Sequence, residues 1–141
     1  MRQYLVASYF LFSAFAWNVE AKECTSEDAR AAEAGIESLK SWSSMYEAFE
    51  AYGHCDDGAI AEGWTEAVVH TLASDWNSLI QASQYAQKDD GFRRFLLKHI
   101  DASADTGEIE AIGTMARSRC PPKLEVLCED IYGSVREALS Q

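Results

Sequence analysis

The stretch Tyr52-Gly53-His54-Cys55-Asp56-Asp57-Gly58-Ala59-Ile60-Ala61-Glu62-Gly63-Trp64 gathers a histidine, a cysteine and three carboxylates within nine positions. Such a set invites a metal site or a thiol catalyst. Neither reading survives a closer look. A thiolate nucleophile must be reduced, whereas four cysteines beside an export signal point to disulfides. Asp56 and Asp57 stand where a helix wants an N-cap, because their carboxylates can accept from the free N–H groups of its first turn. Further on, Glu62, Glu66 and His70 recur at i, i+4 and i+8 and form one ridge that a divalent ion could bridge. At 100° per residue, Ile60, Trp64, Ala67, Val68 and Thr71 take the opposite side, so the ridge is expected in solvent. A buried carboxylate-histidine centre of the ferritin type would need inward Glu-x-x-His pairs, and none is present. His54 and His99 are expected at the surface or at helix ends, and three scattered histidines define no nucleophile-base pair. No Gly-x-Ser-x-Gly, His-Glu-x-x-His or phosphate-binding glycine loop occurs. No enzyme activity, metal or cofactor is therefore expected.

The elements that position these residues read as helices. From Ser26 onward apolar residues recur with helical spacing and nowhere with the alternation of a half-buried strand. Thr25 with Asp28 suggests a capped start, and Ile36, Leu39, Trp42, Tyr46 and Phe49 form a stripe that ends at Gly53. A helix opening at Asp56 or Asp57 runs to about Trp76, and Leu79, Ala82 and Ala86 mark a shorter one. Asp89-Asp90-Gly91 restarts the chain into Phe92, Phe95, Leu96 and His99. Asp105 and Glu108 open the next helix. The last follows Pro121-Pro122 with Leu124, Leu127, Ile131, Val135 and Leu139. The expected fold is an all-α, compact bundle of about five or six helices, stitched by two disulfides. Trp42, Trp64 and Trp76 are expected as core anchors, and Arg93, Arg94 and Lys98 as a solvated basic face.

Compartment is read from the first two dozen residues. Arg2, an apolar run from Tyr4 to Trp17, and small residues at Val19-Glu20-Ala21 have the layout of a secretory leader. Cleavage fits after Ala16 or after Ala21; the second gives residues 1–21 as leader and 22–141 as a single domain. Lys22 and Glu23 before Cys24 do not fit a lipidation box, so no membrane anchor is expected. The leader contributes one basic and one acidic residue, Arg2 and Glu20, so the formal charge of −11 belongs to the mature domain. That charge repels phosphates and argues against nucleic acid, while it attracts basic partners.

Cys24, Cys55, Cys120 and Cys128 allow three pairings, and no Cys-x-x-Cys supports a zinc site. One straight helix over 26–52 would hold Cys24 and Cys55 roughly 40 Å apart, against about 4.4–6.8 Å between bridged Cα atoms. Crossed pairings fail as well, because Cys120 and Cys128 reach at most roughly 28 Å across eight residues. Two bridges therefore require the first segment to break, near Gly35 or the serines 38–44, before a helix from about Ser41 to Tyr52. Cys24 with Cys55 and Cys120 with Cys128 is then the favoured pairing.

A small exported helical domain, acidic and without catalytic signatures, is most economically a binder of another protein. In layout it resembles the periplasmic all-α immunity proteins that protect bacteria against peptidoglycan-cleaving effectors. The resemblance implies neutralisation of a basic secreted toxin or hydrolase and carries over no residue. From the charge pattern, the expected interface is Asp56, Asp57, Glu62 and Glu66, carboxylates on or beside the polar face of one helix that are expected to have no local Lys or Arg to neutralise them. An alternative is a carrier or sensor of a small apolar ligand in a cavity lined by Trp42, Trp64, Phe92 and Phe95. An enzyme would instead need two of the four carboxylates to converge in one cleft with perturbed pKa values.

Overall fold

A computed structural model describes residues 22–141; the leader expected over 1–21 and both of its cleavage sites lie outside the described residues. Seven α-helices and no strand are present among those residues: α1 Ser26–Gly35, α2 Trp42–Tyr52, α3 Gly58–Ser74, α4 Leu79–Lys88, α5 Asp90–Lys98, α6 Thr106–Ser118 and α7 Glu125–Ala138. The count exceeds the five or six expected, because the first segment divides into two full helices. None of the seven is long and apolar enough to cross a membrane.

The division follows from local chemistry. The chain leaves α1 at Gly35 through a 3₁₀ turn, Ile36–Ser38, and restarts at Ser41. There the Ser41 hydroxyl accepts from Ser44 N–H at 3.2 Å while the Ser44 hydroxyl accepts from Ser41 N–H at 3.2 Å, a reciprocal cap. The turn folds α1 back beside α2 and α3 and brings Cys24 to Cys55, with Cα atoms 5.0 Å apart. The second bridge, Cys120–Cys128, closes the corner between α6 and α7. Both favoured pairings are present, and an oxidising environment is what two such bridges require.

Carboxylates and hydroxyls open most of the other helices. Thr25 Oγ1 accepts from Asp28 N–H and Asp105 Oδ1 from Glu108 N–H. Of the two candidate caps before α3 it is Asp57 that serves, accepting from Gly58 N–H at 2.8 Å. Gly58 has φ +51°, a left-handed backbone that glycine adopts without strain. Asp89 Oδ1 accepts from both Gly91 N–H (2.7 Å) and Phe92 N–H (3.1 Å) at the start of α5. Asp89→Ala is expected to cost about 1–2 kcal/mol in a denaturant titration, since it strips two donors of their partner. A cost within 0.5 kcal/mol of zero, about the level of a neutral surface change, would show that water replaces the cap.

Helix α3 is the axis of the bundle. It packs against α1 and α6, and buries Ile60, Trp64, Thr65, Val68, Val69 and Leu72 over about half its girth. α6 and α7 form a hairpin, and α4 pairs with α5. Aromatic rings join the layers: Tyr46 of α2 stacks on Tyr85 of α4 at 4.6 Å, Phe92 meets Phe95, and Phe95 meets Trp64 at 5.1 Å. Trp42, Trp64 and Trp76 are all buried. Trp42 donates from Nε1 to Ser78 Oγ at 2.8 Å, and Trp76 from Nε1 to the Arg119 carbonyl at 2.8 Å. Trp76 lies just beyond α3, in a 3₁₀ turn. Leu139 departs from the expected apolar seam: it follows the end of α7 and is exposed.

Candidate functional site

The polar face of α3 carries the ridge expected from its spacing, with Glu62, Glu66 and His70 all exposed. The ridge runs between two clefts that share Gly63, Glu66 and His70. One, of about 540 Å³, lies toward the turn at residues 36–42 and combines Ile36, Leu39, Trp42 and Ala67 with Glu37, Lys40 and Asp75. The other, of about 820 Å³, lies toward the start of α6 and is bounded there by Ser103, Ala104, Asp105 and Glu108.

The second cleft is acidic. Glu62, Glu66, Asp105 and Glu108 line it, and no Lys or Arg does. Two of these carboxylates are engaged: Asp105 caps α6, and Glu108 Oε1 lies 2.9 Å from His70 Nδ1. Glu62 and Glu66 have no ion-pair partner among the described residues, and at i, i+4 they repel each other. The described residues hold no cluster of three ligating side chains placed for a metal ion.

Of the four carboxylates expected at an interface, Glu62 and Glu66 share this cleft, whereas Asp57 is exposed but occupied as a cap. Asp56 is set apart and corrects the expectation that all four lack a local counter-charge. Its side chain is 13% exposed, and Oδ2 accepts from Lys98 Nζ at 2.7 Å and faces His99 Nε2 at 3.2 Å. Burial works against its charge, yet the bonds from His99 and Lys98 prevail and hold its pKa below the usual carboxylate value. The expected basic face is likewise spoken for in part, since Arg93 is paired with Asp130 of α7 and Lys98 with Asp56.

His99 is the larger surprise. It stands at the C-terminal end of α5, as a helix-end reading has it, but at 1% exposure it is a core residue. Its Nδ1 lies 2.9 Å from Thr65 Oγ1, and the same hydroxyl donates to Asp101 Oδ2 at 3.2 Å. With Asp56 Oδ2 3.2 Å from Nε2 on the other side of the ring, the Thr65 hydroxyl, the imidazole and the Asp56 carboxylate fall in line, the order of a nucleophile with its base and orienter. Thr65 is also 1% exposed and neither it nor His99 lines the two clefts, so no substrate atom reaches the hydroxyl. The group ties α3 to the end of α5 and to Asp101 just beyond it. At the far end of α1, His54 Nε2 meets Asp28 Oδ2 at 3.1 Å; that bond is the main reason the Asp28 pKa lies below its ordinary value.

Comparison with family models, curated proteins and solved structures yields no significant match. The reading of function therefore rests on the geometry of this face.

Proposed function

We propose that the protein is an exported protein-binding module whose α3 face takes a basic partner, in the manner of an immunity protein or inhibitor that neutralises a secreted toxin or hydrolase. The carrying observation is the pair Glu62 and Glu66, exposed and without an ion-pair partner among the described residues, on the rim of a cleft that adds Asp105 and Glu108 and is lined by no Lys or Arg. The net charge of −11 extends that field over the molecule and favours encounter with cations. A Lys or Arg side chain laid between Glu62 and Glu66 would relieve their repulsion, and the neighbouring floor of Ile36, Leu39, Trp42 and Ala67 offers an apolar side chain of the same partner a place to dock. The apolar-ligand alternative draws less support: Trp64, Phe92 and Phe95 pack ring to ring at 5.1 and 5.6 Å. The leader and the two disulfides together favour a periplasmic or extracellular address.

Affinity capture from periplasmic extract, followed by purification of the captured protein, supplies the partner for the test. Glu62→Gln with Glu66→Gln is expected to leave the fold intact, slow association roughly tenfold at low salt and flatten its salt dependence. Unchanged association rates and an unchanged salt response would place the interface on another face.

A further inference from the structure

The cleft beside the 36–42 turn is built differently from the acidic one on the other side of α3. Its two walls are the turn after α1 and the C-terminal half of α3. Gly63 lets them close on each other, since a Cβ there would lie 2.6 Å from Cδ1 and 2.8 Å from Cγ2 of Ile36. Leu39 and Trp42, 7% and 1% exposed, close the floor from below, and Ala67 adds to it from α3. The resulting hollow of about 540 Å³ falls within the roughly 300–1,000 Å³ of small-molecule sites. Its polar lining is short of donors and of positive charge. Ser74 and Ser78 line it, but their hydroxyls donate at 2.6 Å to the carbonyls of His70 and Asp75. Glu37, Glu66 and Asp75 stand exposed around it with no ion-pair partner among the described residues, and Lys40 is the one Lys or Arg in the lining.

We propose that this cleft binds a small amphiphilic amine, its apolar body on the floor of Leu39, Trp42 and Ala67 and its ammonium group at the carboxylate rim. Floor and rim each exclude other ligands. A carboxylate or phosphate meets the rim and the net charge of −11, both of its own sign. A neutral apolar ligand pushes water off the carboxylates and gives them no counter-charge. A bare metal ion gains nothing from an apolar floor and finds no cluster of three ligating side chains among the described residues. An amine on an apolar body suits both parts: the body supplies burial and the ammonium supplies selectivity by charge. Lys40, of the ligand's own sign, weakens the site. The proposal needs no protein partner, and Glu66 is the one carboxylate that this cleft shares with the acidic one.

The test is an NMR titration of the ¹⁵N-labelled, disulfide-bonded protein at neutral pH and low salt with phenethylamine, phenylethanol and phenylpropionate, which carry the same ring on a short chain and differ in charge. Phenethylamine is expected to shift the amides of Leu39, Trp42, Ala67 and Thr71 saturably, with a Kd of about 1 mM or tighter. The alcohol is expected to bind at least about tenfold more weakly, and the carboxylate not to bind. Glu37→Gln with Asp75→Asn, which leaves Glu62 and Glu66 in place, is expected to raise the Kd for phenethylamine about tenfold, and Lys40→Gln to lower it about threefold. Equal binding of amine and alcohol, or a Kd indifferent to both variants, would overturn the role of the rim. Shifts confined to Ser103, Asp105 and Glu108 would place the amine in the acidic cleft and overturn this site, as would no saturable shift up to about 20 mM. The association test of Glu62→Gln with Glu66→Gln stands apart, so failure here and failure of the protein-binding reading are told apart.

Discussion

Replacing Cys24 and Cys55 together by serine is expected to lower the unfolding free energy by about 4 kcal/mol, and replacing Cys120 and Cys128 together by about 2.5 kcal/mol. The difference comes from the loops closed, 31 and 8 residues in sequence separation, because a longer loop removes more entropy from the unfolded chain. Against the 5–15 kcal/mol typical of a domain this size, the first loss is a large fraction. It also has a definite place. α1 has ten residues, too few to be helical alone, and only Ala32 within it is fully buried. The bridge fixes the start of α1 to the turn before α3, next to Asp56 and its pair with Lys98 and His99. Without it, amide protection is expected to vanish first over residues 26–35 and to weaken at Asp56 and Asp57, while the α6–α7 hairpin stays protected. Denaturant titration of the two double variants, with hydrogen exchange on the first, checks both parts. Equal costs for the two bridges, or undiminished protection in α1, would show that packing and not the crosslink holds this helix.

The break that makes this bridge possible was legible in the sequence because it is a matter of length: no straight helix over 26–52 lets Cys24 reach Cys55. The cap at Thr25 and the helix opening at Asp105 were legible too, as was Asp57 as one of two candidates before α3, while Ser41 and Asp89 were legible as restarts, since each acts within three residues of itself. The solvated ridge of Glu62, Glu66 and His70 follows from helical angles alone. What lay beyond the sequence is contact between elements. Asp105 and Glu108 read as the opening of a helix, which they are, but nothing local shows that α6 lies beside α3 and turns them into the far wall of a cleft. Likewise His99 ends an apolar run as a surface histidine would. Its burial depends on Thr65 and Asp56, 34 and 43 positions away, and on the path of the chain after α5. The charge on Asp56 looked free for the same reason, since its counter-ions arrive from a helix distant in sequence. A nearby clue was present in Asp101, two positions beyond His99, although periodicity gives it no partner.

Phe92→Ala is expected to cost about 3–5 kcal/mol, the range for removing a fully buried aromatic ring from a core that relaxes only in part. Phe92 has no exposed surface, and its ring touches Tyr46 and Phe49 of α2, Tyr85 of α4 and Phe95 of its own helix at centroid distances of 5.1, 5.5, 5.9 and 5.6 Å. Three of these contacts are edge-on, the geometry in which the positive rim of one ring meets the negative face of another, and such pairs contribute about 0.5–1.5 kcal/mol beyond the area they bury. Because the partners sit on three helices, the cavity is shared by three packing interfaces and no single side chain can swing in to fill it. Phe92→Leu keeps much of the volume and is expected to cost about 1–2 kcal/mol, the difference reporting the cavity and the lost edge contacts. Ile80→Ala, at a position 51% exposed on α4, supplies the contrast and should fall within about 0.5 kcal/mol of zero. Near-ultraviolet dichroism of Phe92→Ala should weaken as well, because Tyr46 and Tyr85 lose the ring that fixes their mutual stacking at 4.6 Å. A cost for Phe92→Ala no greater than that for Ile80→Ala would mean that the aromatic layer does not join α2, α4 and α5, and that the bundle is held by the α3, α6 and α7 contacts alone.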